Sequence, residues 1–110
     1  MTEVEEYIKF LATKIVEKIN PEKIILFGSY ANGTSNLNSD IDILVILKDS
    51  TLPRHKRTGN LYVEMKDYYT NYSLDFVVYT EAEVNKWANV SLAFITSTIK
   101  KGKILYERKS

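Results

Sequence analysis

The chain has 110 residues, no Cys and one His, and its 15 Lys and Arg against 14 Asp and Glu leave a formal charge of +1, which bounds it to one compact domain over residues 1–110. A hydrophobic content of 45% suits an ordinary globule, and the near-neutral balance disfavours a surface that coats nucleic acid. Without Cys there are no disulfides, iron–sulfur clusters, thiolate zinc or cysteine nucleophile, and His55 alone supplies no His pair for zinc.

Val4, Ile8, Leu11, Ile15 and Ile19 recur at steps of four, three, four and four, so residues 3–19 are expected to form a helix that buries one face. Thr2 and Glu5 have capping-box spacing at its start, and Asn20-Pro21 supplies its stop. Lys23-Ile24-Ile25-Leu26-Phe27 reads as a buried strand that delivers Gly28-Ser29 at its end. Residues 30–39 are rich in turn formers and read as a loop, opening with at most one helical turn. Asp40 to Leu47 begins as polar–apolar alternation and becomes wholly apolar, as a strand does when its first residues reach a cleft.

Residues 48–60 are polar and basic and are expected to form a long loop, with Arg54, His55, Lys56 and Arg57 as a solvated charge run. Leu61, Met65, Tyr68 and Tyr72 predict a second amphipathic helix leaving through Asn71-Tyr72-Ser73, and residues 74–79 a third strand carrying Asp75. Thr80 and Glu83 repeat the capping-box spacing before a short helix through Trp87, which reads as a packing anchor. Leu92, Ile95 and Ile99 mark a last helix ending at Lys100-Lys101-Gly102, and Lys103 to Glu107 a closing strand. The result is an α/β (α+β) domain: a small mixed sheet of three or four strands against three or four helices. The first residues are acidic where a signal peptide would be basic, and no apolar run is long enough to span a membrane, so a cytoplasmic protein is expected.

One constellation rises above a generic domain: Gly28-Ser29, then Asp40-Ile41-Asp42, then Asp75 on a later strand. Residues two apart on a strand share a face with Cα atoms roughly 6.6 Å apart, so Asp40 and Asp42 can converge on one ion or a close pair. If the Asp75 strand lies alongside, three carboxylates face one point and call for divalent cations between them. All-oxygen ligands favour Mg²⁺, with Mn²⁺ as the second choice, and Mg²⁺ shares itself readily with substrate phosphates. Gly28 lets a phosphate approach the backbone, and the following N–H groups and the Ser29 hydroxyl can donate to it. Two such ions fit an in-line displacement at phosphorus, and hence nucleotidyl transfer.

At these residues the chain resembles the minimal nucleotidyltransferase (MNT) branch of the DNA polymerase β superfamily. The pattern of that branch is matched by Gly28-Ser29-Tyr30-Ala31-Asn32-Gly33, by Ser39-Asp40-Ile41-Asp42-Ile43 and by Leu74-Asp75-Phe76-Val77, in an order of elements that covers nearly the whole chain. Asn32 departs from it, standing where the family often has Arg. The resemblance implies the nucleotidyltransferase fold, with Gly28, Ser29 and Ser39 joining Asp40 and Asp42 in holding the nucleotide. It further implies that Asp40 and Asp42 bind two Mg²⁺ ions, and that Asp75 binds the ion next to the attacking hydroxyl and accepts its proton. ATP would be the substrate, AMP the transferred group and pyrophosphate the product. Small members of the branch often act as antitoxins by attaching AMP to a tyrosine of a partner HEPN-domain toxin. No membrane or stable nucleic-acid partner is implied, and homo-oligomerisation is left open. The alternative is a non-catalytic antitoxin or nucleotide-binding module that occludes its partner.

Overall fold

The computed structural model describes residues 2–36 and 38–109. In chain order the elements are α1 (Glu3–Ile19), β1 (Lys23–Phe27), α2 (Ser29–Asn32), β2 (Ile41–Leu47), α3 (Arg54–Glu64), a single 3₁₀ turn (Lys66–Tyr68), β3 (Leu74–Thr80), α4 (Glu81–Lys86), α5 (Phe94–Lys101) and β4 (Lys103–Glu107). The strands form one mixed sheet in the order β3-β2-β1-β4. β1 is antiparallel to both neighbours, and β2 runs parallel to β3, with α3 in the crossover between them.

Strand alternation divides the core in two. Ile24, Leu26, Ile41, Ile43, Val45, Phe76 and Val78 project to one face, where they meet Ile8, Leu11 and Ile15 of α1 and Leu61 of α3, with Met65 beside them. On the opposite face Ile25, Leu44, Ile46 and Tyr79 meet Ile95 of α5, with Val84 of α4 packed alongside. Thr2 caps α1 by accepting from the Glu5 N–H at 3.2 Å. The helix stops because Asn20 turns left-handed at φ 49° and returns its N–H to the Val16 carbonyl. Thr80 and Glu83 form the full reciprocal capping box at the start of α4.

Four expectations are corrected. Residues 54–60 are helical rather than loop, so the polar connection shrinks to 48–53. Arg57, Leu61 and Met65 at steps of four form the inward stripe, and Arg57 is only 8% exposed rather than part of a solvated run. Its guanidinium meets Glu83 through two bonds of 2.8 and 3.1 Å and also donates to the Val78 and Leu52 carbonyls at 3.1 and 2.9 Å. A paired guanidinium takes a place where an unpaired cation would be too costly to bury. At its other end this helix stops at Glu64, and Tyr72 lies outside it, stacked on Tyr7 of α1 with ring centroids 5.5 Å apart. Leu92 falls outside α5 and is 93% exposed. Trp87 caps the end of the six-residue α4 at the rim of the fold and is 42% exposed.

Candidate active site

The site is built where three strand ends meet a tight turn. Phe27 is the register partner of Asp42 across β1 and β2, and Asp42 that of Asp75 across β2 and β3. Neighbouring strands are about 4.8 Å apart, so the three side chains stand in one row on the α4–α5 face. At the end of β1, Gly28 takes φ 74° and ψ −156°, a conformation that a side chain would strain. A Cβ on Gly28 would also collide with the Asp42 carboxylate, which occupies that space. The turn and the carboxylate row therefore interlock. Gly28 offers its carbonyl to the Ala31 and Asn32 N–H groups at 3.1 and 3.2 Å, which closes α2 as a single turn. Helical geometry leaves the Ser29 and Tyr30 N–H groups at the head of that turn without acceptors inside it.

Electrostatics mark the row as strained. The Asp42 carboxyl is pushed up to about 6, first by burial, then by the negative charges of Asp75 and Asp40, and last by a hydrogen bond with Asp75. The four ion pairs among the described residues, Lys14–Glu17, Lys23–Glu107, Arg57–Glu83 and Arg108–Glu22, involve none of these acids. The donor set is carboxylate oxygen throughout and has no ion-pair partner among the described residues, which fits a hard divalent cation. Among the described residues, however, no three His, Cys, Asp or Glu side chains are already gathered into a metal cage. Asp42 and Asp75 form the pair, and Asp40, one residue ahead of β2 and exposed, stands at the rim.

Beside the row a groove of about 390 Å³ is lined by Phe27, Gly28, Asn32, Ser97, Thr98, Lys101 and Gly102. Its lining holds hydroxyls, an amide and one ammonium but no carboxylate, a composition suited to an anion. A larger groove of about 520 Å³ lies away from the acids, between α1 and β4.

Residues 9–110 match the family described as Polymerase beta, Nucleotidyltransferase. The chain belongs to that family. Two similar proteins of Methanocaldococcus jannaschii are provisionally named protein adenylyltransferases. MJ0141 is 33% identical over 49% of this chain and 52% of its own length, and MJ1379 is 31% identical over 62% and 64%. The chain thus spans about half to two-thirds of the length of the curated relatives it matches. A provisionally named nucleotidyltransferase of Sulfolobus solfataricus shares the fold with a TM-score of 0.59 at 24% identity, covering 96% of this chain and 86% of that one. A toxin–antitoxin structure with AMP-PNP gives a TM-score of 0.55 at 25% identity, covering 92% and 74%.

Of the residues singled out in the sequence, Gly28, Ser29, Asp42 and Asp75 come together around the β1–α2 turn and the row. The Ser39 hydroxyl accepts from the Asn36 N–H at 2.9 Å and helps close the loop that leads to Asp40. Asn32 holds its side-chain oxygen toward the Thr34 hydroxyl at 2.7 Å. Lys101 was legible only as a basic helix end; its place in the groove arises because α5 terminates against the β1–α2 turn. Among the described residues no helix is long and apolar enough to cross a membrane.

Proposed function

We propose that this chain is a Mg²⁺-dependent nucleotidyltransferase that moves AMP from ATP onto a hydroxyl of a partner protein, a tyrosine of a HEPN-domain toxin, and so acts as an antitoxin. The observation that carries the reading is the Asp42–Asp75 pair locked against Gly28 at the mouth of a carboxylate-free groove. Names among its relatives and fold neighbours support the choice of group and partner: two are provisional protein adenylyltransferases and one is a toxin–antitoxin structure.

Gly28 and Ser29 would receive the β- and γ-phosphates at the head of α2, with Lys101 as the cation of the adjoining groove. Asp40 and Asp42 would hold two Mg²⁺ ions, with Asp75 on one of them. When bound, Mg²⁺ supplies positive charge that lowers the pKa of the acceptor hydroxyl and offsets charge on the leaving group. The acceptor oxygen bonds to the α-phosphorus as the bond to the bridging oxygen breaks, pyrophosphate departs, and the hydroxyl proton passes to the Asp75 carboxylate. Asp75 is exposed and can reach an incoming acceptor.

The test is transfer of label from α-labelled ATP to the partner toxin, compared with Asp42→Asn and with the Asp40→Asn, Asp42→Asn double variant. Loss of labelling and of toxin neutralisation, with the complex still forming, is the expected result. Neutralisation by the double variant would replace catalysis with occlusion.

A further inference from the structure

Four of the nine exposed large apolar side chains among the described residues lie in one short segment. Trp87, Val90, Leu92 and Phe94 fall within eight residues, and Leu92 is almost fully solvated. The segment is ordered: the Val90 N–H donates to the Trp87 carbonyl at 2.9 Å, the Ala93 N–H to the Val90 carbonyl at 3.1 Å, and the Thr96 hydroxyl to the Trp87 carbonyl at 2.6 Å. Solvation of such a preformed apolar surface is unfavourable, and surfaces of this kind mark docking sites.

Trp87 and Phe94 at the two ends of this segment line a groove of about 390 Å³ together with Arg54, Tyr79, Ala93 and Ile95. The Arg54 guanidinium lies 4.6 Å from the Tyr79 ring centroid, and the Lys86 ammonium 5.6 Å from that of Trp87. Two cations over aromatic faces, with no carboxylate among the lining residues, complement an apolar side chain flanked by acids. One aromatic contact links the groove to the carboxylate row: its lining residue Phe94 packs edge-on against Phe27 at 5.8 Å, and Phe27 is the register partner of Asp42. Tyr79 lies four residues beyond Asp75 on the same face of β3, roughly 13 Å at the rise of a strand.

We infer that the groove between Arg54, Trp87 and Phe94 docks the acceptor protein through an apolar side chain flanked by carboxylates, about four extended residues from the modified hydroxyl. This rests on the transferase reading above. A partner protein is favoured over nucleic acid because the whole chain carries a charge of only +1.

The test uses the full chain and fluorescent synthetic peptides that carry a tyrosine and, four residues away, a leucine between two glutamates. A control peptide replaces the glutamates with lysines. Anisotropy is expected to show binding of the acidic peptide, weakened about tenfold or more by Leu92→Glu and by Arg54→Glu, while the affinity for ATP is unchanged. Equal binding of the lysine peptide, no binding, or unchanged affinity in both variants would overturn the inference. So would a single-stranded RNA that binds in a Leu92-dependent way, or self-association that Leu92→Glu releases. Peptide binding that persists without any AMP transfer would instead remove the transferase reading and leave the surface.

Discussion

The two faces of the sheet are built to different ends. On the α1–α3 face the strand residues Ile24, Ile41, Ile43, Val45, Phe76 and Val78 are sealed beneath a long helix and a second helix stapled by Arg57. On the α4–α5 face the core is smaller, and the row that begins with Phe27 continues with Asp42 and Asp75 where apolar side chains would otherwise pack. One face supplies rigidity. The other uses it to hold like charges together at a strand end, where burial and mutual repulsion raise the Asp42 pKa. The proposed chemistry is located where the fold gives up stability.

The largest expected effect follows from breaking the second face at its centre. Asp42→Asn should reduce AMP transfer by roughly a thousandfold or more, in the range of losses seen when electrostatic stabilisation of a transition state is removed. The same substitution should raise the melting temperature in metal-free buffer at pH 8. The folded-state pKa of about 6 lies above the ordinary aspartate value of 3.8, so the ionised carboxylate destabilises the fold as pH rises through that window. A lowered melting temperature would contradict the strained-row account. Gly28→Ala should lose about a hundredfold or more in transfer, because a Cβ there meets the Asp42 carboxylate and φ is positive. Steady-state labelling of the partner reads both effects.

On the first face, Ile15→Ala should cost about 3–4 kcal/mol in urea unfolding, as expected for a core aliphatic truncated in a well-packed layer. Ile95→Ala on the thinner face should cost less; equal losses would erase the contrast. Arg57→Ala should cost about 3 kcal/mol, since it removes the cation paired with Glu83 and the side-chain donor to the Val78 carbonyl. A finer effect is its pH signature. Hydrogen bonding to Arg57 lowers the Glu83 pKa to about 2, so Glu83 contributes stability above the ordinary glutamate value of 4.5 and loses it as pH falls toward 2. In Arg57→Ala that part of the acid-limb slope should largely disappear.

The sheet was legible because its strands are short β-branched runs, and α1 because its stripe is unbroken. The start of α3 was hidden because its inward position is Arg57, whose partner Glu83 lies 26 residues away; hydropathy cannot register a paired guanidinium as core. Tyr72 and Leu92 have helical spacing yet lie beyond helix ends, because tertiary packing sets where α3 stops and α5 begins. At the site, Gly28-Ser29 could be read from its place after a short apolar run and the Asp40/Asp42 pair from strand alternation, whereas the seating of Asp75 beside Asp42 depends on the parallel pairing of β2 with β3, which spacing does not carry. The rim position of Asp40 and the entry of Lys101 depend on where β2 begins and where α5 meets a distant turn.

Gly102 joins α5 to β4 where a Cβ would sit 2.8 Å from the Leu26 carbonyl oxygen and press on the Ile25 side chain. That single close approach seats the outermost strand, its neighbour in sequence Lys101, and the backbone of β1 as one unit. An edge strand is ordinarily the most dispensable part of a sheet. Here, trimming or displacing it would also unmoor the Lys101 ammonium beside Gly28, so on the proposed function damage at the sheet's periphery would in addition weaken the hold on the triphosphate.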